Sequence, residues 1–389
     1  MQHYDITIAG AGPAGSAAAL YLSRAGFSVL LLEKKMFPRE TVCGEFYSPE
    51  SLDVLDELEL KNNYFALDPN PIDTFAVSAV KSLPYRIPLG FTAYGLKRGE
   101  FDDMLMQSAR RSGSTILMPA ELKSVTHNNG KYVVSVQDAQ SGQKFSCSEI
   151  ILAYGKYSSL DSSFSRKPDG VKSGFIGIKY HVPVACTECL YDEGAAYGAV
   201  RKNEIHILLS RGIYCGINYV SKRIINVCML IDQRLTRQVQ AGDVLHELYE
   251  SFPVFRHTFS DAAAVAGLHR YGTGNIYFGR RELISSGMFV AGDAARVIAP
   301  LAGDGISMAL SSGLLAAMVI EEKLTGRYGK SCEWYENRYG ELWMKRYSKR
   351  LLYAGAVQRM IFSRLISGLI PDLLPYISRS IPFLIRHTR

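Results

Sequence analysis

The chain's 389 residues are 47% hydrophobic and 21% charged, a globular balance with apolar material for a sizeable core in two or three structural units. Its seven cysteines have no framework spacing, which excludes a disulfide scaffold and points to reduced thiols in a cytoplasmic protein. The net charge of +7 belongs to the tail: residues 345–389 hold nine basic residues against one acid, the rest sums to −1, and no nucleic-acid-binding motif accompanies the excess.

In chain order, Tyr4–Ala9 alternates and then turns apolar, as a strand entering a core does. Gly10, Gly12 and Gly15 punctuate a tight turn. Ala14–Ala25 is rich in small helix formers and stops at Gly26, and Ser28–Leu32 is a second strand running into Glu33. Ser48–Leu60, with Pro49 in its first turn, and Glu100–Arg111 read as helices. Lys131–Val136 and Gly142–Ser148 read as strands around a turn, and Ile150–Ala153 as another apolar strand. From about Ser173 the pattern switches to strands at Phe175–Val182, Ala196–Val200, Ile205–Leu209, Tyr214–Tyr219 and Ile224–Leu230. Val244–Ser251 is a short helix. The first pattern then returns with the strand Gly287–Ala291 and a long helix after Gly305. The uncharged run Gly305–Ile320 is short for a bilayer and follows a glycine-rich loop, which suits a buried helix. The N-terminus lacks the basic and apolar regions of a signal peptide. Cys186 and Cys189 form a lone CxxC without a second pair, so no metal site is expected.

These elements predict an α/β protein. A discontinuous Rossmann-like nucleotide domain covers residues 1–72, 95–170 and 270–330. A sheet-rich substrate domain is inserted at 73–94 and 171–269, and a helical, basic and apolar C-terminal segment occupies 331–389.

The chemistry begins at Gly10-Ala11-Gly12-Pro13-Ala14-Gly15. A bare GxGxxG is weak, but this one follows a strand, opens a helix, and precedes a strand ending in an acid. Gly10 permits the turn, Gly12 lets backbone approach a pyrophosphate, and Gly15 lets helix and strand pack closely. The free N–H groups of the helix start face the phosphates, and Glu33 can accept from a ribose hydroxyl. This motif alone does not separate FAD from NAD. A second element does: Gly287–Ala295 runs from an apolar strand into Gly292-Asp293, followed by Pro300-Leu301-Ala302-Gly303-Asp304-Gly305-Ile306 and a helix of small and apolar residues. A flavin needs such a second holding point, because its ribityl chain and ring extend past the first.

With Leu96–Asp102 between them, these two elements resemble the p-hydroxybenzoate-hydroxylase class of flavoproteins, which includes aromatic hydroxylases, flavin-dependent halogenases and geranylgeranyl reductases. The resemblance runs from about Tyr4 to Glu322. It implies FAD held by Gly10, Gly12, Gly15, Glu33, Arg98 and Asp293, with Ala14, Lys34, Gly303, Gly305 and Ile306 completing the candidate cofactor set. It also implies NAD(P)H or another external reductant as electron donor. Two stretches resemble the geranylgeranyl reductases in particular: PLAGDGISMA at 300–309, and RETVCGE at 39–45, where the reductases place a cysteine beside the flavin ring. Cys43 is therefore a candidate proton donor, its alternative being a small buried hydrophobe. The chain departs from that branch at Ile205–Ser210, which lacks the aromatic Y-x-W-x-F-P segment. It departs from the hydroxylases at Tyr154-Gly155, where they carry Asp-Gly, and neither Trp334 nor Trp343 sits in a halogenase Trp-x-Trp motif.

On the inserted sheet, Lys179 and His181 share a strand face, placed either to bind an anionic or phenolic group or to face solvent. His206 and Tyr214 are weaker candidates of the same kind. The resemblance implies hydride reduction of a lipophilic, prenyl- or polyene-like substrate, with Cys43 supplying the proton. The alternatives are oxygen-dependent hydroxylation or halogenation of an aromatic substrate, and flavin binding without turnover. The helix from Gly305 would aim its positive end at the flavin, and at up to ~2 kcal/mol this shifts a two-electron potential by about 40 mV. In the tail, Leu351, Leu352, Ala354, Met360 and Ile361 recur at roughly helical spacing among Arg350, Arg359 and Arg364. That pattern suits either a membrane surface or a helix packed on the body.

Overall fold

The computed structural model describes residues 1–363 apart from 129, 139–140, 159, 165, 167–173, 185–197, 237–240, 260 and 275. The Cys186–Cys189 pair, the start of the expected strand at Ala196 and the tail beyond Ser363 lie outside the described residues. Gly198–Val200 form no strand.

Runs of Ile, Leu and Val too apolar to face water on either side build the first sheet. Its parallel strands, in spatial order, are Thr115–Leu117, Val29–Leu32, His3–Ala9, Gly142–Leu152 and Met288–Val290, with Ile284–Ser285 antiparallel at the edge. Gly142–Leu152 is one continuous strand where the sequence pattern predicts two. Its start pairs with the hairpin of Ala120–Asn128 and Lys131–Asp138, and its end with His3–Ala9. The chain leaves His3–Ala9 through the helix Pro13–Arg24 to Val29–Leu32 on one side, while Gly142–Leu152 flanks it on the other. Such a switch point opens a crevice at the carboxyl ends of the strands.

The helix Gly305–Leu324 crosses Pro13–Arg24 at backbone contact. A Cβ on Gly313 would lie 2.1 Å from the Ala14 carbonyl oxygen, so only glycine fits there. This helix is longer than the run read from sequence and is apolar enough to cross a membrane by length and composition. Its apolar window is 72% buried inside the protein, as in a core helix. The final helix, Cys332–Ile361, is capped by the Ser331 hydroxyl and buries a face made of Tyr335, Tyr339, Trp343, Tyr347, Leu351 and Ile361. Tyr339 donates to the Val290 carbonyl at 2.6 Å, and the Tyr347 and Ser311 hydroxyls meet at 2.6 Å. This part of the C-terminal segment packs on the body. Leu351, Ala354 and Ile361 are therefore core residues, and Leu352 alone of that set is strongly exposed, at 64%.

The second sheet runs, in spatial order, Arg270–Thr273, Phe175–Pro183, Ile224–Asp232, Ile213–Ser221, Glu204–Ser210, Asn70–Ala79, Tyr85–Gly95 and Phe46–Tyr47. Phe46–Tyr47 falls in a stretch the sequence reading gave to the nucleotide domain. It joins this sheet because its backbone pairs with Tyr94 and Gly95. The expected helix Ser48–Leu60 ends at Glu57, since Glu59 adopts a left-handed conformation (φ 54°), and Lys61–Phe65 forms a separate helical turn. The helices Ala241–Ser251, Pro253–Thr258 and Ala262–Ala266 pack against a core on one face of the sheet. On the other face Ile207, Leu209, Tyr214 and Leu230 form an apolar cluster with Val297 and Ile361 of the first unit.

Candidate flavin and substrate site

The carboxyl ends of the parallel strands, the starts of two helices and the inner face of the second sheet enclose a common cavity. Gly10, Gly12, Ala14, Glu33, Lys34 and Arg98 line it, as do Asp293, Gly303, Gly305 and Ile306. Gly15 stands behind this wall. A Cβ there would lie 1.8 Å from the Gly10 carbonyl oxygen, so its part is close packing of helix on strand. Over Gly12 the nearest side-chain atom is an Arg39 guanidinium nitrogen, 3.8 Å from where a Cβ would be, and the backbone is otherwise open.

Charge around this opening is arranged in a chain. Glu33 accepts the Ala11 and Lys35 backbone N–H groups at 3.0 Å each, with an Arg39 nitrogen 3.5 Å away. Arg39 also reaches Asp102 at 3.4 Å, and Arg98 grips Asp102 through Nε and Nη2, both at 2.8 Å. Burial works against the Arg98 charge, but Asp102 more than offsets it and holds the guanidinium cationic. The Arg98/Asp102 pair was legible as an i,i+4 spacing on a helix. Arg39, brought from a distant loop, was not.

These residues fit a flavin dinucleotide. Two helix starts present N–H groups without intrahelical partners, the Gly12 backbone is open, and Arg39 and Arg98 line the same cavity with guanidinium N–H groups beyond those that their carboxylate partners take, suited to phosphates. Carboxylates at Glu33 and Asp293 line the same cavity, suited to sugar-like hydroxyls.

Cys43 lines the cavity, and its sulfur accepts the Glu45 N–H at 3.3 Å. Lys179 and His181 share a face as expected, but that face is neither solvated nor part of the cavity wall. Lys179 is fully buried and donates to Glu40 at 2.7 Å and to Glu45 at 2.8 Å, while His181 Nε2 meets the other Glu45 oxygen at 2.6 Å. The Lys179 charge is thus already neutralised by two carboxylates and is not free to hold an anionic substrate. Glu45 also accepts the Arg98 N–H at 2.8 Å. Burial alone would raise the Glu45 carboxyl, yet His181, Lys179 and that N–H outweigh it and hold the group low. Burial likewise opposes the Lys179 ammonium, and Glu45 and Glu40 raise it instead. Glu40, Glu45 and His181 have ligand atoms within 4.8 Å of one another, but the ammonium between the two carboxylates fills the cation position.

Away from the glycine loop the lining becomes apolar: Phe46, Phe75, Leu89, Ile207, Leu230 and Val297. The strand Glu204–Ser210 contributes aliphatic Ile205 and Ile207. His206 is not in the cavity; it is buried between Ser78 (3.0 Å) and Glu204 (2.9 Å), and desolvation lowers its pKa. Tyr154 forms part of the wall, its hydroxyl donating to Asp161 and accepting from Arg166, both at 2.6 Å.

A family model described as an FAD binding domain matches residues 3–215, just over half of the chain. The chain belongs to that family. Its FAD-binding domain is of the p-hydroxybenzoate-hydroxylase class. Menaquinone reductase of Mycobacterium tuberculosis is 31% identical over 167 residues, which is 42% of this chain, and the match spans only 40% of that relative's length. Digeranylgeranylglycerophospholipid reductase of Thermoplasma acidophilum is 22% identical over 365 residues, covering 90% of this chain and 83% of the relative. The solved structure of the flavin-dependent brominase Bmp2 superposes with a TM-score of 0.75 at 18% identity, covering 99% of this chain and 93% of the brominase. One FAD-binding fold thus serves reduction and halogenation, and the choice between them lies in the site.

Proposed function

We propose that this FAD enzyme reduces a carbon–carbon double bond in a lipophilic, prenyl- or polyene-like molecule. The observation that carries the reading is the continuity of one cavity from a dinucleotide-holding end to an apolar end, with Cys43 on its wall. Bound FAD supplies hydride transfer, replenished by NAD(P)H or another external reductant. The open backbone at Gly12, the start of Pro13–Arg24, Arg39 and Arg98 hold the phosphates. Glu33 accepts from the ribose, Asp293 binds the ribityl chain, and the start of Gly305–Leu324 orients the far end. Phe46, Phe75, Ile207 and Leu230 exclude water and bind the substrate by apolar area, at ~0.8 kcal/mol per buried CH₂. Cys43 donates the proton, on a loop pinned to the second sheet by Glu45 and Lys179. The names of the two reductase relatives point to lipid substrates and support this reading.

The test is a single turnover without oxygen. FAD-loaded protein is reduced chemically and mixed with a geranylgeranylated lipid, and the product is weighed by mass spectrometry. A gain of two hydrogens, slowed at least tenfold by Cys43→Ser, is the expected result. A strict oxygen requirement with oxygen incorporated into the product sinks the reductase reading and leaves hydroxylation.

A further inference from the structure

The strand Ile213–Ser221 runs through the middle of the second sheet and is buried from Ile213 to Val220. Tyr214 and Gly216, two positions apart, share one face, and both line the cavity. Gly216 leaves the space above it to the phenol: a Cβ there would lie 3.7 Å from the Tyr214 hydroxyl and 3.6 Å from Ile207 Cδ1. The hydroxyl therefore sits in an apolar wall, with Leu230 and Leu209 opposite Tyr214 on the neighbouring strands.

Among the described residues the Tyr214 hydroxyl has no hydrogen-bond partner. The other tyrosine hydroxyls on the cavity wall are engaged, Tyr154 by Asp161 and Arg166, and Tyr157 by the Gly274 carbonyl. A hydroxyl that opens onto a cavity is satisfied only by what fills it, and a lipophilic occupant that displaces water must return that hydrogen bond or leave the group unpaired. Desolvation pushes the Tyr214 phenol far above its ordinary pKa, so it stays a neutral donor at any working pH.

We propose that the substrate carries a carbonyl or similar oxygen acceptor on its lipophilic skeleton, and that Tyr214 is the specificity-determining residue that donates to it. The proposal rests on the reading of the cavity as a lipophilic substrate site and narrows it from any prenyl or polyene hydrocarbon to an oxygen-bearing one. The phenol binds and orients the oxygen; no proton leaves it.

The test titrates FAD-loaded wild type, Tyr214→Phe and Gly216→Ala by calorimetry with two probes: geranylacetone, an isoprenoid ketone, and the hydrocarbon of the same carbon skeleton. Wild type binds the ketone about tenfold more tightly, the worth of one hydrogen bond. In Tyr214→Phe the preference disappears while hydrocarbon affinity and FAD content stay unchanged. Gly216→Ala, whose methyl group fits at ordinary contact distance beside the hydroxyl, keeps both FAD content and the preference, and loss of the preference there counts against a hydrogen bond from Tyr214 as its source. Equal affinities in wild type, or a preference that survives Tyr214→Phe, overturn the inference and leave the lipophilic reading standing. Binding of neither probe overturns both.

Discussion

Replacing Lys179 by Met removes one ammonium from the middle of a buried ion network while keeping a side chain of similar length. Glu45 is fully buried and would retain only His181 and the Arg98 N–H as partners; Glu40 would lose its 2.7 Å contact. Stranding a buried carboxylate in this way costs ~3–5 kcal/mol, which lowers the unfolding temperature by roughly 4–6 °C in a protein of this size. Lys179→Met/Glu45→Gln should recover at least half of that loss, because the stranded charge is gone. The pH dependence follows from the two shifts. Glu45 is held low in the fold, so its contribution is present above the ordinary carboxylate pKa of ~4.3 and fades as pH falls through its folded value. Lys179 is held high, so its contribution is complete below the ordinary lysine pKa of ~10.4 and fades as pH rises through its folded value. Wild type should therefore gain a constant increment from this pair between about pH 5 and 10. The deficit of Lys179→Met should narrow in acid, where Glu45 takes up a proton. Thermal unfolding followed by circular dichroism across that range measures all of this. A single variant within 2 °C of wild type, or a double variant no more stable than the single, refutes the reasoning.

Two glycines separate cofactor contact from framework packing. Gly12 is extended (φ −72°, ψ 175° in magnitude) with open space over it, so Gly12→Val should leave the unfolding temperature of the FAD-free protein within about 2 °C and weaken FAD binding at least tenfold, read by retained yellow colour after dialysis. Gly313→Ala should do the reverse in order of cause. Its methyl would stand 2.1 Å from the Ala14 oxygen and push two helices apart, with a stability loss of ~1–3 kcal/mol in denaturant titration and FAD loss following from it.

The first βαβ unit was legible because every signal for it is local: apolar runs, a glycine turn and a closing acid fall within thirty-odd residues, and period and turn chemistry are properties of neighbours in the chain. The late Gly292-Asp293 element was readable for the same reason. The hairpin at Ala120–Asp138 was half seen, since Ala120–Asn128 mixes exposed polar residues into its alternation. Phe46–Tyr47 is not legible as a strand because two residues have no period to read.

What the sequence determined by itself is the nucleotide-binding end and the family to which it belongs, because turns, caps and helix starts are built from adjacent residues. What only the tertiary structure decided is the identity of the wall around the substrate. Lys179 meets Glu45 across 134 positions, and the loop of Cys43 is anchored by a strand far along the chain. Such contacts depend on how two sheets face each other, and charge pairing over that distance leaves no periodic trace in the chain. The same packing made Lys179, which the sequence leaves as either a substrate ligand or a solvated charge, a buried counter-ion, and left the Tyr214 hydroxyl facing the cavity without a partner among the described residues.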